Sequence, residues 1–88
     1  MKLEWDERER WRNIDDRGLD FMDVEFMDWS RVETRPDTRK DYPERRYVPT
    51  GQIGSRVVVC VWCRRGDAVR IISLRKANGK ERQRYQGL

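Results

Sequence analysis

Apolar residues are spread unevenly along this chain, and their spacing predicts most of its elements. The densest cluster is Val57 to Trp62, V-V-V-C-V-W, an unbroken β-branched and aromatic run. Such a run predicts a strand covered on both faces, hence a central strand. The chain breaks at Arg65-Gly66-Asp67 and returns through Val69, Ile71 and Ile72 to a basic end at Arg75 and Lys76. Val57 to Ala77 therefore reads as a β-hairpin. Burying the side chains of its first arm is worth roughly 1.5–3 kcal/mol each, and no other segment offers as much.

Upstream the pattern changes period. Leu3 to Trp5 predicts a short strand. Asp6, with Glu9 three residues on, has the form of a capping box and starts a helix over Glu7 to Arg17. Glu4 and Arg8, like Asp6 and Arg10, are spaced for i,i+4 ion pairs. The apolar stripe of this helix is thin, Trp11 and Ile14, and Gly18 supplies a left-handed C-cap. Asp20 opens a second expected helix, Phe21 to Trp29, with Phe21, Val24 and Asp28 on one face and Met22, Phe26 and Trp29 on another; its aromatics are assigned to the core. Ser30 to Glu44 is polar and holds Pro36 and Pro43, which predicts a strand near Arg31 to Thr34 and then an exposed loop. Arg45 to Ile53 reads as a strand with an edge or bulge at Pro49, and Gly51 and Gly54 flank the turn into Val57. Asn78 with Glu81 caps a last helix that ends at Tyr85. The sum is an α+β fold in one domain, residues 1–88. N-terminal helices pack on an antiparallel meander of about four strands, and a short C-terminal helix closes it.

Charge sharpens this picture. Residues 1–44 hold nine Lys+Arg against fourteen Asp+Glu, a balance of −5, whereas residues 45–88 hold eleven against two, a balance of +9. The acidic residues fall in helix patterns and at caps, where they have local partners. The basic half is rich in strands, and a fixed cationic surface of that kind suits a polyanion. Only two cysteines occur, Cys60 and Cys63. Three residues apart on a strand they face opposite ways, so they read as small buried hydrophobes rather than a metal pair or a disulfide. No apolar stretch nears the roughly 18 residues of a membrane span, and no signal core opens the chain, so a cytoplasmic location is expected.

The chain has no His, which excludes a Ser-His-Asp set and an imidazole general base. It also lacks a Gly-rich phosphate loop before a helix, and no metal or other cofactor is expected. What remains is Arg, Lys, Glu and Tyr. One reaction suits that inventory, RNA strand cleavage by the substrate's own 2′-hydroxyl. There the protein orients the nucleophile, moves a proton and stabilises a phosphorane with guanidiniums.

Trp5-Asp6, Asn13 and R-G-L-D-F (Arg17 to Phe21) are joined by Arg45-Arg46, Gly51, Gly54, V-R-I-I-S-L-R-K-A and E-R-Q-R-Y. Together these motifs resemble the BrnT-type toxins of bacterial toxin–antitoxin pairs, over nearly the whole chain. The first helix departs from that pattern, with Glu9 where the family has Lys and Asp16-Arg17 where it has Lys-His. The resemblance implies a RelE-like ribonuclease fold and a toxin that cleaves RNA and arrests growth. It implies a BrnA-like antitoxin partner with a ribbon-helix-helix part, through which alone the complex meets operator DNA. Carried onto matching positions, it implies catalytic roles for Arg70, Arg75, Lys76, Glu81 and Tyr85. RNA-binding roles fall to Arg45, Arg46, Arg64 and Arg82. Arg70 and Arg75 are separated by an odd number of residues, so on a regular strand they face opposite ways; a bulge between them, or a site that uses only one, resolves this. Glu81 is a candidate base or a cap, and Tyr85 a stacking or proton-transfer group or a packing residue. The alternative reading is a catalytically weak module of the same fold that binds nucleic acid or the antitoxin.

Overall fold

The computed structural model describes residues 2–32 and 46–87. Strand β1 (Lys2–Trp5) leads into helix α1 (Glu7–Arg17), and two 3₁₀ segments come after it, Phe21–Phe26 and Trp29–Arg31. Strands β2 (Arg46–Tyr47), β3 (Thr50–Ile53), β4 (Arg56–Arg65) and β5 (Ala68–Lys76) come next, and helix α2 (Gly79–Gln86) closes the described chain. The five strands form one sheet in the order β1-β5-β4-β2, with β3 also on β4. The expected hairpin is its centre, and β4 is flanked on both sides. The antiparallel meander is corrected in one respect: β1 joins β5 in parallel, Leu3 opposite Val69 and Trp5 opposite Ile71.

Both tight turns are two residues long and begin with a glycine at positive φ, Gly54 at 60° and Gly66 at 61°. That conformation costs a residue without a Cβ almost nothing, and it matches the twist of a hairpin. Strands β2 and β3 keep one register on β4, Tyr47 opposite Trp62 and Thr50 opposite Val59. Pro49 thus interrupts the pairing without inserting a residue, its missing N–H being the reason. Its carbonyl still accepts from the Cys60 N–H at 3.0 Å.

The N-terminal half contains one α-helix, not two. Asp6 caps α1 by accepting from the Arg8 and Glu9 N–H groups, and Gly18 ends it at φ 69°. The reciprocal half of the capping box is absent there. Arg10 turns to Asp20 and Glu7 instead of Asp6, because the Asp6 carboxylate is already committed to the helix end. Asp20 does act as a cap, but the element it opens is a 3₁₀ segment. The buried residues of that segment explain why. Phe21, Val24 and Met27 recur every third residue, a spacing that lines one face at three residues per turn. The other face divides: Trp29 packs against the core as expected, but Phe26 is 72% exposed and is corrected to a surface residue, with Met22 beside it 50% exposed. Trp11 points outward too, with the Arg10 guanidinium 4.9 Å from its ring. Arg31 lies in the second 3₁₀ segment rather than a strand, its turn capped by Asp28; residues 33–34 and Arg45 are outside the described residues.

Leu19, Phe21, Val24 and Met27 pack onto Val58, Cys60, Val69, Ile71 and Leu74 as one core. Met27 leans on the bare backbone of Gly51, where an added Cβ would lie 2.5 Å from its sulfur. Cys60 and Cys63 are buried, unlinked, and on opposite faces of β4. Burial pushes the Cys60 thiol up to about 12, which makes it an inert packing group.

Candidate functional site

The pairing of β4 with β5 is not regular. Val58 to Val61 lie opposite Lys76 to Ser73, but Trp62 lies opposite Ile71, so Ile72 is an extra residue without a partner. This is a β-bulge, and the apolar pattern demands it. Val69 and Ile71 alternate into the core, yet Leu74, three residues beyond Ile71, is also fully buried. Only an inserted residue lets both point the same way. The same slip acts on the charges. Residues directly opposite share a face, and Arg70 and Arg75 lie opposite Cys63 and Val59, two positions of equal parity on β4. The bulge therefore places Arg70 and Arg75 on one face of the sheet, the face away from the core cluster. Ser73, opposite Val61, stands between them.

Arg46 on β2 also lies opposite Cys63. Arg46, Cys63, Arg70 and Glu4 of β1 thus form one row across four strands. The row through Thr50, Val59 and Arg75 runs about 13 Å away, four residues along β4. Arg70 is half-buried, and no carboxylate among the described residues is within ion-pair distance of it. Its charge is felt by Asp6, whose carboxyl lies below the ordinary range first because the Glu9 and Arg8 N–H groups bond it, with Arg70 adding a smaller share.

Arg75 is held differently. Its two terminal nitrogens donate to the two oxygens of Glu81 at 2.8 and 2.9 Å. Glu81 also accepts from the Asn78 N–H at 2.8 Å, while the Asn78 side chain accepts from the Glu81 N–H, the complete capping box of α2. The guanidinium first, and then the Asn78 N–H, hold the Glu81 carboxyl at about 2, against the cost of its partial burial. A carboxylate of that acidity is a feeble base. Its visible work is to cap α2, as its spacing from Asn78 predicts, and to orient Arg75.

The remaining predicted residues are dispersed. Lys76 is exposed at the end of β5, opposite Val58 and thus on the other parity. Arg82 is exposed on α2. Arg64 is exposed near the far hairpin turn, opposite Val69. Tyr85 is 1% exposed and packs α2 against the sheet, with the Arg31 guanidinium 5.1 Å from its ring. Its hydroxyl is buried without a hydrogen-bond partner among the described residues.

Two residues gain a role only in the structure. Asn13 is buried, and its amide replaces the peptide that β5 lacks beyond the end of β1. It donates to the Leu74 carbonyl at 2.9 Å and accepts from the Leu74 N–H at 3.2 Å, with a further bond to the Leu19 carbonyl. This fixes the roll of α1 beside the bulge. Ser73 belongs to the V-R-I-I-S-L-R-K-A motif, but its spacing does not set it between the arginines, a place that exists only once Ile72 bulges. Among the described residues no group of three or more His, Cys, Asp or Glu could hold a metal ion, and no helix is long and apolar enough to cross a membrane.

The family model described as the ribonuclease toxin BrnT of a type II toxin–antitoxin system matches residues 5–81. The chain belongs to the BrnT family. That match spans the end of β1 to the first turn of α2, with both capped helix starts. No curated protein matches the chain significantly. A BrnT-family ribonuclease toxin has RNA as its substrate and a protein antitoxin as its partner.

Proposed function

We propose that this BrnT-family toxin is an endoribonuclease that cleaves by attack of a ribose 2′-oxygen on the adjacent phosphorus. The O2′–P bond forms as the P–O5′ bond breaks. The 2′-hydroxyl proton is lost and a proton reaches the departing 5′-oxygen, leaving a 2′,3′-cyclic phosphate and a 5′-hydroxyl. The observation that carries this reading is the Ile72 bulge, which gathers Arg70 and Arg75 on one face with Arg46 beside them. Guanidiniums held in place before the reaction stabilise a phosphorane without reorganising during it. Arg70 and Arg75 contact the scissile phosphate, with Glu81 buttressing Arg75. Lys76 assists the leaving oxygen, and Arg46, Arg64 and Arg82 track the backbone, as does Arg45 outside the described residues. Tyr85 acts by seating α2, which carries Glu81. The nucleophile comes from the substrate and the charge stabilisation from arginine, so the reaction needs no metal ion.

The same reading takes the fold to be RelE-like, the protein to work in the cytoplasm, and a BrnA-like ribbon-helix-helix antitoxin to neutralise it. The antitoxin covers the arginine face and carries the complex to operator DNA. One observation favours a second reading: Arg75 is already engaged by Glu81, as it would be in a weak or inactive module that binds RNA or the antitoxin. Purified protein with end-labelled RNA in EDTA separates the two. Cleavage with cyclic-phosphate ends supports the ribonuclease, and retention without cleavage supports the binding module.

A further inference from the structure

A cleft of about 210 Å³ lies between α1 and the bulge of β5. Glu9, Arg12, Asp16 and Arg17 of α1 form its wall, and Ile72 and Ser73 its floor. It is smaller than the roughly 300–1,000 Å³ of pockets for drug-sized ligands. The bonds of Asn13 to Leu74 hold the helix at a fixed roll over it. Glu9, Arg12 and Asp16 sit at i, i+3 and i+7, so they project along one helix face. The four charged groups make no ion pair with one another among the described residues. Two carboxylates and two guanidiniums are therefore open to a ligand.

We propose that this cleft is a nucleobase pocket that prefers guanine, serving the RNA substrate of the reading above, on which it rests. A phosphate gains nothing here, because the carboxylates repel it as the guanidiniums attract it. A base needs both kinds of partner. Guanine presents adjacent N1–H and N2–H donors, which match the two oxygens of one carboxylate, together with the O6 and N7 acceptors that match a guanidinium. Adenine, cytosine and uracil each lack the adjacent donor pair. Ile72, displaced by the bulge, gives the ring an apolar surface to lie on. Ser73 joins the two regions, since it lines the cleft and also stands between Arg70 and Arg75. A nucleotide whose phosphate rests on the arginine face thus has its base within reach of the cleft.

The test uses uncleavable 2′-O-methyl oligonucleotides that differ only in carrying G, A, C or U at one position, with binding read by anisotropy. Cleavage-site mapping on a randomised RNA runs in parallel. Wild type is expected to favour G about tenfold, the discrimination of one bidentate pair. Glu9→Gln combined with Asp16→Asn flattens that preference, whereas Arg70→Ala weakens all four oligonucleotides alike. Melting curves confirm that the surface variants fold. Cleavage without a base preference, or a preference that survives the double variant, overturns the pocket while the ribonuclease stands. A guanine preference in binding without any cleavage by wild type overturns the ribonuclease while the pocket stands.

Discussion

Two bidentate arginine–carboxylate pairs hold this molecule together at different places, and they are built in opposite senses. Arg10 donates from Nε and a terminal nitrogen to Asp20 at 2.8 and 3.0 Å, and its side chain is the more enclosed partner, 15% exposed against 29%. Glu7 adds a third bond, so the cation is committed to tying α1 to the cap of the first 3₁₀ segment. In the Arg75–Glu81 pair the order is reversed: the Glu81 side chain is 18% exposed and the Arg75 side chain 37%. Asp20 encloses a cation, whereas Glu81 presents one. An arginine that faces solvent yet is held rigid from behind suits binding of an anion. One that is surrounded by carboxylates suits only the fold.

The largest expected effect breaks that comparison at its exposed end. Arg75→Ala should lower the rate of RNA cleavage by about 10²–10³-fold, the loss typical of one fixed donor to a transition-state oxyanion. Its melting temperature should fall by only a few degrees, in keeping with the loss of an ion pair worth about 1 kcal/mol. At the enclosed end, Asn13→Ala orphans the Leu74 N–H and carbonyl and should cost about 1–3 kcal/mol in urea unfolding for each buried group left unsatisfied. Arg10→Ala should lower the melting temperature more than Arg75→Ala does while leaving cleavage at the wild-type rate. Equal loss of cleavage from both arginine variants would erase the distinction.

The smallest expected effect is in pH. The Glu81 carboxyl titrates at about 2 in the folded chain, below its ordinary 4.5. A depressed carboxyl stabilises the fold above its unfolded value, and that stability is lost as pH falls from about 4.5 towards 2. Partial exposure screens the pair, leaving about 1 kcal/mol. Glu81→Gln should remove that share of the acid sensitivity in a denaturation series across this range. A slope unchanged by the substitution would show that Glu81 does not carry it.

The sequence disclosed the architecture where the apolar pattern was long. Val57 to Trp62 dictated a central strand, Asp6 and Gly18 bounded α1, and Asn78 with Glu81 opened α2. It failed where the pattern was short. The three-residue spacing of Phe21, Val24 and Met27 suits a 3₁₀ segment, but over two turns it departs too little from a helical stripe to tell the two apart. The parallel docking of β1 was hidden because a four-residue strand carries no sign of its direction. The site was half legible. Arg70 and Arg75 were identifiable as a pair, but their common face depends on Ile72. The signal for that bulge lies in the alternation of Val69 and Ile71, which slips by one before Leu74. The cleft under α1 left no trace in sequence, since it forms only when Asn13 docks on the edge of β5.

The most direct test monitors the arginine Nε–Hε resonances by NMR while a 2′-O-methyl RNA is titrated into the protein. The account predicts saturable shifts at Arg70 and Arg75 together, with Arg10 unmoved. Shifts confined to arginines of the opposite face, or none at Arg70 and Arg75 when RNA is fully bound, would contradict it.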